Sequence, residues 1–352
     1  MVIMKTKIIR LNEQQINMQA IEEAGQIIRN GGLVAFPTET VYGLGGDGLI
    51  AASSGKIYAA KGRPSDNPLI IHIADLESLE RIVSEVPKVA YSLAERYWPG
   101  PLTMIFKKSD CVPLETTGGL STVAVRMPSN KIALALIEAA GGYIAAPSAN
   151  LSGRPSPTLA KYVIQDMDGR IDMILDGGEA DIGLESTIID LSGEAPVILR
   201  PGYITEEMLE EVVGQVETDR TILEGNSKQA PKAPGMKYRH YAPKGSLTII
   251  EGPQESVTTF VNSQLSINKK EGKRTGVIAT DETAGLYLAD CVKSVGSRSD
   301  EEQIAKHLFR ILREFDDEEI EVMYAESFEC KGMGQAIMNR LLKAAGHQVI
   351  QV

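Results

Sequence analysis

Helical patterns and short apolar runs alternate along the first 213 residues of this chain, and this alternation restricts its fold more than any other feature. Residues 17–30 show the helical pattern, because Ile21, Ala24 and Ile28 recur on one face and Gly31-Gly32 follows as a stop signal. The apolar run at 33–36 comes directly afterwards and is typical of a buried strand. The alternation predicts an α/β fold with a twisted mixed sheet. The other predicted helices are 51–60, 76–83, 89–97, 131–140 and 205–213, and the other predicted strands are 69–73, 102–106, 123–126, 143–146, 174–175, 187–191 and 197–199.

A break in this pattern indicates two domains. The 352-residue chain is too long for one typical domain. Residues 218–245 are rich in polar residues, Gly and Pro and lack apolar periodicity, as linkers do. Beyond them the α/β pattern resumes, with predicted strands at 247–250, 275–279 and 322–325 and predicted helices at 255–265, 301–315 and 334–345. We therefore expect a first domain at 1–217, a linker at 218–245 and a smaller Rossmann-like α/β domain at 246–352.

Two cations stand close together between a predicted helix and a predicted strand. Lys61 and Arg63 are separated by one glycine, and Lys56 lies about one helical turn earlier. Three positive charges at the mouth of an α/β unit are suited to holding phosphates. The alternative is structural, because a helix C-terminus favours Lys and Arg through its dipole.

Hydroxyl-rich loops follow two of the predicted strands. Residues 37–48 contain Thr38, Thr40 and several glycines, and residues 147–153 contain Ser148 and Ser152. Glycine allows backbone amides to approach a ligand closely, and ligands of α/β proteins bind at strand ends. Each hydroxyl could equally be a turn or cap residue.

Composition limits the classes of partner. The formal net charge of −11 disfavours tight, general binding to nucleic acid, although a local basic cleft could still attract ATP or RNA weakly. Cys111, Cys291 and Cys330 have no metal-ligand spacing, and an odd number argues against a disulfide framework. With no signal-peptide pattern or apolar run of about 20 residues, we expect a cytoplasmic protein without membrane association.

Seven ordered motifs resemble the YrdC-like family of L-threonylcarbamoyladenylate synthases, in its long, two-domain form. The residues around the linker, Ala233 to Pro243, resemble the linker of that form. The motifs are Pro37-Thr38-Glu39-Thr40-Val41-Tyr42-Gly43-Leu44, Lys61-Gly62-Arg63-Pro64, Asn67-Pro68-Leu69, Ser121 to Pro128, Pro147-Ser148-Ala149-Asn150, Glu185-Ser186-Thr187-Ile188 and Leu199-Arg200-Pro201-Gly202.

The resemblance implies a nucleotidyltransferase that makes L-threonylcarbamoyladenylate and pyrophosphate from L-threonine, bicarbonate and ATP. This would be the first step of N6-threonylcarbamoyladenosine modification, at position 37 of tRNAs reading ANN codons. Mg²⁺ would arrive with ATP and be held mainly by phosphates and water, with no dedicated protein metal site. The product would pass to a downstream threonylcarbamoyl-transferase machinery that modifies tRNA.

The resemblance also implies roles for individual residues. Lys56, Lys61 and Arg63 would act on the phosphates, and Tyr241 would help the linker to enclose the product. The implied ATP contacts are Arg63, Asn67, Thr122, Ser148, Ser156, Arg200 and Tyr241, and the implied L-threonine contacts are Thr40, His72, Arg126 and Ser186.

Three of these roles have structural alternatives. Arg126 suits a substrate carboxylate, which a guanidinium can bind through two hydrogen bonds, but it could form a structural ion pair instead. A lone histidine in an apolar strand, such as His72, is more often a core residue. The aromatic and cationic residues at 238–241 favour docking on a surface, but they could simply pack between domains.

Two other functions compete with the synthase. An RNA-binding module would use a similar concave, locally cationic cleft. A carbamoyl-transfer domain of the hydrogenase-maturation type resembles the same catalytic domain, but it predicts acylphosphatase and zinc-finger segments, which this sequence does not show.

Overall fold

The structure is a computed structural model that describes residues 5–219 and 240–352. The chain divides into two compact units. Within the described residues, the first unit comprises 5–152, 156–181 and 185–219, and the second comprises 153–155, 182–184 and 240–352. Most of the predicted linker, including Tyr238 and Arg239, lies outside the described residues, and the domain boundaries at 217 and 245 stay predictions.

The first unit is built as the alternation predicts. Helix α1 (Met18–Arg29) shows the local logic, because Asn17 accepts a hydrogen bond from the Ala20 amide and the stripe containing Ile21, Ala24 and Ile28 is buried. The other helices are α2 (Ala51–Lys61), α3 (Glu77–Ile82), α4 (Lys88–Tyr97), α5 (Lys131–Ala139), α6 (Ala160–Met167) and α7 (Glu206–Val213). The strands are β1 (Lys7–Arg10), β2 (Val34–Phe36), β3 (Gly43–Asp47), β4 (Ile70–His72), β5 (Leu102–Lys107), β6 (Thr122–Arg126), β7 (Ile144–Ala146), β8 (Met173–Asp176), β9 (Thr187–Asp190), β10 (Val197–Arg200) and β11 (Glu217–Thr218).

These strands form one mixed sheet in the order β1-β8-β2-β3-β7-β4-β6-β5-β9-β10-β11. Strands β4 and β6 are parallel, β5 is antiparallel to β6, β9 is parallel to β5, and β10 is antiparallel to β9. The ends of β4, β6 and β10 and the beginnings of β5 and β9 therefore meet along one line across the sheet. The predicted mixed sheet is confirmed, and this line positions the candidate site.

The second unit contains a parallel sheet. Its strands are β12 (Ser246–Glu251), β13 (Thr275–Ala279), β14 (Cys291–Ser294), β15 (Val322–Glu326) and β16 (Val349–Gln351), in the order β14-β13-β15-β12-β16. All four strand pairings are parallel. Its helices are α8 (Gln254–Lys270), α9 (Glu301–Asp317) and α10 (Met333–Ala344), with a 3₁₀ turn at Ala284–Leu286. The predicted second α/β domain is confirmed.

The prediction that residues 37–48 form a loop throughout is wrong, because β3 occupies its second half. Strand β3 pairs with β2 on one side and β7 on the other. Its glycines allow close packing, since a Cβ at Gly45 would lie 2.7 Å from the Ile144 side chain and 2.9 Å from that of Phe36. The many glycines of this segment therefore serve the tight packing of β3 against its neighbours as well as a turn. Sequence patterns also missed β1, α6, β11, β14 and β16.

Candidate active site

A row of paired residues crosses five strands of the first unit. His72 on β4 is opposite Arg126 on β6, and Arg126 is opposite Thr103 on β5. Thr103 is opposite Ile188 on β9, which is opposite Arg200 on β10. Because directly opposed residues point to the same face of a sheet, the side chains of His72, Arg126 and Thr103 share one face. Long-range pairing has thus gathered residues from three of the sequence motifs and placed His72 and Thr103 beside them.

The same face carries a small apolar cluster. Alternation along β6 places Thr122, Ala124 and Arg126 on this face, and Ala124 packs within the cluster. Thr122 and Arg126 lie about 13 Å apart along the strand, at 3.3 Å per residue. The predicted substrate contacts consequently lie in two groups, one at the Arg126 end of β6 and one at its Thr122 end. The apolar cluster between them consists of Ile70, Ile105, Ala124, Ile188 and Leu199.

Arg126 is buried and held on three sides. Its Nε donates to the Gly100 carbonyl at 3.3 Å, and Nη1 donates to Thr40 Oγ1 at 2.9 Å. Its Nη2 lies 2.7 Å from Glu39 Oε1 and forms an ion pair with that carboxylate. This contact does not have hydrogen-bond geometry, and neither Glu39 oxygen accepts a hydrogen bond from the described residues. The structural ion pair considered for Arg126 therefore exists, and it retains unused hydrogen-bonding capacity.

A hydroxyl chain connects the predicted threonine and ATP contacts. Arg200 Nη2 donates to Ser186 Oγ at 3.1 Å, and its Nε donates to the Ser186 carbonyl at 3.0 Å. Ser186 Oγ also lies 2.8 Å from Thr103 Oγ1. All three residues are buried. The structure thus brings together one predicted contact for each substrate.

His72 is a buried, uncharged neighbour of Arg126. Burial, followed by the positive charge of Arg126, lowers the pKa of His72 from 6.5 to about 3. Its Nδ1 lies 3.2 Å from the Ile70 carbonyl, and its ring meets Phe36 edge-on at 6.1 Å. At neutral pH the imidazole can therefore offer a polar contact without adding a second positive charge.

The Thr122 end also contains Asn67, Arg63 and Ser148. Arg63 Nη2 donates to the carbonyls of Asn67 and Pro68 at 3.3 and 3.1 Å. Asn67 is almost fully buried, yet its Oδ1 accepts no hydrogen bond from any part of the chain that the structure describes. A buried amide oxygen of this kind is available to a ligand N–H group. Ser148 follows β7 and is bridged to Gly43.

The three predicted phosphate cations do not form one group. The Lys61 ammonium is buried and donates to the carbonyls of Ser148 and Asn150, so it holds the shape of that loop. Lys56 is exposed and donates to the Gly31 carbonyl. It lines a separate depression of about 530 Å³ with Arg170 and Asp172. The Lys56 side chain thus points towards the end of α1, and its role on the phosphates stays a prediction.

Two other predicted contacts have different surroundings. Ser156 donates to Glu185 Oε1 at 2.6 Å, and both residues are buried. Tyr241 belongs to the second unit, where its ring lies 4.9 Å from that of Phe309 and its backbone has a φ of 63°. The roles of all these residues in binding substrate stay predictions.

Sequence reasoning assigned no role to Glu39, Thr103 or Glu185. Glu39 and Glu185 stand inside quoted motifs, directly before Thr40 and Ser186, so their positions were a signal. Thr103 interrupts an apolar strand with a hydroxyl, which is also a recognisable signal. Their partners depend on long-range contacts, however, and no sequence pattern shows those.

Residues 5–219 and 240–352 contain no group of three or more His, Cys, Asp or Glu side chains placed to hold a metal ion. None of the helices described there has the length and apolar character needed to cross a membrane.

Two family models match successive parts of the chain. Residues 26–202 match the Sua5/YciO/YrdC family, which is described as "Telomere recombination". The first unit thus defines a YrdC-like α/β protein, and a structure of Escherichia coli YciO matches it with a TM-score of 0.51 and 27% identity, covering 55% of this chain and 95% of that one. Residues 204–346 match the family described as "Threonylcarbamoyl-AMP synthase, C-terminal domain".

Full-length relatives make the assignment specific. The threonylcarbamoyl-AMP synthase of Pyrococcus abyssi is 50% identical over 99% of this chain and 100% of its own length. That of Bacillus subtilis is 48% identical, covering 97% of both chains. A crystal structure of P. abyssi Sua5 complexed with L-threonine has a TM-score of 0.93 and 49% identity, covering 99% of this chain and all of that one. The chain belongs to the threonylcarbamoyl-AMP synthase family of nucleotidyltransferases, in its two-domain form.

Proposed function

We propose that this protein makes L-threonylcarbamoyladenylate and pyrophosphate from L-threonine, bicarbonate and ATP. The observation that carries the proposal is the hydrogen bond from Arg200 to Ser186, because it joins an expected ATP contact to an expected threonine contact. Arg200 belongs to the row that includes Arg126, and Ser186 contacts Thr103 of the same row. The full-length similarity to named synthases supports the same reaction.

The reaction requires positioning and charge neutralisation. The threonine amine and bicarbonate form a carbamate and water, and a carbamate oxygen then attacks the α-phosphorus of ATP. The bond to pyrophosphate breaks, so no covalent enzyme intermediate is needed. Arg126 would bind the threonine carboxylate, and Arg200 and Arg63 would bind or position ATP, which are the tasks that dominate such transfers.

Mg²⁺ belongs to this proposal as the partner of ATP. When bound, it would neutralise charge on the phosphates. Two buried carboxylates lie among the predicted contacts, but Glu39 pairs with Arg126 and Glu185 accepts the Ser156 hydrogen bond. We therefore assign no protein ligand to the ion and expect phosphate oxygens and water to hold it.

The biological setting is also proposed from the family. The product would supply the threonylcarbamoyl group of the modified adenosine at position 37 of tRNAs reading ANN codons. A transferase machinery would take the unstable intermediate in the cytoplasm. The negative net charge of −11 favours at most weak contact between this protein and the tRNA itself.

Pyrophosphate release tests the reaction. We expect release with ATP, Mg²⁺, L-threonine and bicarbonate present, and loss of release when any substrate is omitted. Arg63→Ala should reduce the rate by roughly 10- to 100-fold, the equivalent of one charge-assisted hydrogen bond. Arg96→Ala is the matched control, because Arg96 is exposed on α4.

Two outcomes would contradict the proposal. Pyrophosphate release that does not depend on threonine and bicarbonate would indicate a different reaction. Absence of release from folded wild-type protein, combined with salt-sensitive RNA binding, would favour the RNA-binding alternative.

A further inference from the structure

Glu39 is a buried carboxylate whose hydrogen-bonding capacity the protein does not use. The residue is 5% exposed, and neither Oε1 nor Oε2 accepts a hydrogen bond within the described ranges. Its only described partner of opposite charge is Arg126, at 2.7 Å. Buried carboxylates are normally hydrogen-bonded because desolvation is costly, so this carboxylate is suited to receive donors from a ligand.

Arg126, the other member of the ion pair, has hydrogen-bond donors that the protein does not use. Its Nη2 donates no hydrogen bond that the described residues accept, although it lies beside the carboxylate. The pair therefore offers unused N–H donors next to unused oxygen acceptors. A free α-amino acid carries the complementary groups, a carboxylate and an ammonium on adjacent atoms.

The hydroxyl oxygen of Thr40 is a further hydrogen-bond acceptor beside this pair. Thr38 donates its only hydroxyl proton to the Val41 carbonyl at 2.6 Å. Thr40 Oγ1 lies 3.0 Å from that hydroxyl, whose oxygen also accepts hydrogen bonds from the amides of Thr40 and Val41. Because Arg126 already donates to Thr40 Oγ1, one acceptor position remains on that oxygen. An ammonium has three donors and can use both Thr40 and Glu39.

We propose that Glu39 binds the α-ammonium of the amino-acid substrate, while Arg126 binds its carboxylate. This inference rests on the proposed function, since it assigns a new contact within the threonine site. It gives the site a physical reason to prefer a zwitterion to a hydroxy acid. Charge-assisted hydrogen bonds to a buried carboxylate are among the strong ones.

A comparison of ligands on the wild-type protein is the first test. Binding of L-threonine and of 2,3-dihydroxybutyrate with the same stereochemistry is measured by calorimetry without ATP. The analogue replaces the ammonium with a hydroxyl and keeps the carboxylate and side chain. We expect it to bind roughly 10- to 100-fold more weakly, as expected for the loss of a charge-assisted contact. Equal affinities would overturn the inference without requiring any variant.

The Glu39→Gln variant provides the second test. It should lose roughly 10- to 100-fold in affinity for L-threonine, while its affinity for the hydroxy acid stays within about threefold of wild type. Glu39→Asp, which keeps the charge, should retain more of the preference for L-threonine. The control is Glu95→Gln, because Glu95 is exposed on α4.

The outcomes separate this inference from the proposed function. If Glu39 only supports Arg126, Glu39→Gln weakens both ligands equally, and that result would overturn the inference alone. If wild-type protein binds no L-threonine and releases no pyrophosphate, the proposed function fails as well. Circular dichroism confirms that each variant is folded before its affinity is interpreted.

Discussion

Each unit contains a buried glutamate paired with an arginine, but the protein supplies hydrogen bonds to only one of the two carboxylates. In the second unit, Glu326 ends β15, accepts a hydrogen bond from Tyr287 Oη at 2.6 Å and also pairs with Arg298. Gln254 lies 3.5 Å from the same carboxylate oxygen that Tyr287 binds. In the first unit, Glu39 has its ion pair with Arg126 and accepts no hydrogen bond from the described residues.

The difference distinguishes a structural pair from one suited to a ligand. Burial and the Glu326 carboxylate raise the pKa of Tyr287, so its hydroxyl stays a donor. The Glu326 carboxylate therefore has its hydrogen bonds and its ion pair supplied by the fold, as buried charges in stable networks do. Glu39 is equally buried but incompletely satisfied, which is the state expected of a side chain that completes its contacts with substrate.

Removing the arginine of each pair should have very different effects. Arg126→Ala leaves Glu39 without its described countercharge, and we expect a loss of about 3–5 kcal/mol in the free energy of unfolding. Arg298→Ala should cost only about 1 kcal/mol or less, because its side chain is 42% exposed and Glu326 keeps Tyr287. Urea unfolding measures both effects, and pyrophosphate release should be lost only in the first variant.

A double variant sharpens this comparison. Glu39→Gln added to Arg126→Ala removes the uncompensated charge and should restore part of the lost stability without restoring activity. Equal destabilisation by Arg126→Ala and Arg298→Ala would remove the contrast between the two pairs.

His72 should make the stability of the first unit depend on pH. Between pH 6.5 and about 3 the unfolded chain binds a proton at His72 that the folded protein does not. The contribution of His72 to the free energy of unfolding is therefore full above pH 6.5 and is lost as pH falls through this window, by at most about 1.4 kcal/mol per pH unit. His72→Asn should flatten this dependence.

Histidine NMR measures the pKa of His72 directly. The chain has 4 histidines, so few resonances need to be assigned. We expect the His72 resonance to remain that of the neutral ring down to about pH 4 and to titrate at higher pH in Arg126→Ala. A wild-type resonance that titrates near 6.5 would contradict the buried environment described for this ring.

Tyr287→Phe tests whether the Glu326 pair is purely structural. Loss of the hydroxyl removes the short hydrogen bond that Tyr287 donates to Glu326, so the second unit should lose about 1–3 kcal/mol in stability. Pyrophosphate release at a temperature where the variant is folded should stay unchanged. Hydrogen exchange of the β15 amides measures the stability change, and the control is Tyr91→Phe, whose exposed hydroxyl lies 3.1 Å from Glu80.

Thr103→Val should have the smallest effect of this series. The substitution removes the hydroxyl that contacts Ser186 and retains the side-chain shape, so we expect a stability loss of about 1 kcal/mol. Because Ser186 also binds Arg200, the KM values for threonine and ATP should both rise, by less than about tenfold. Thr103→Ser should behave like wild type, and a change confined to stability would show that the hydroxyl chain has no role in binding.

Local patterns were good predictors of the elements of this fold. The predicted helix at 17–30 includes both the Asn17 cap and the end of α1, because capping and amphipathic spacing are local properties. Strand β3 escaped prediction because glycine normally signals a turn, whereas here it permits close approach of neighbouring side chains. Lys56 was grouped with Lys61 by spacing alone, and the direction of its side chain depended on packing around α2.

The α/β class, the two-domain pattern and the family motifs follow from the sequence alone, since periodicity, caps and residue identity are local properties of the chain. Which buried polar atoms have hydrogen-bond partners depends instead on the folded arrangement of the chain. Arg126 and Thr40, which share a hydrogen bond, are 86 positions apart in the sequence, and the partners of Glu326 come from three separate segments. Hydrogen-bond satisfaction depends on distances and angles that long-range strand pairing creates, so Glu39 and Glu326 become distinguishable only in the folded protein.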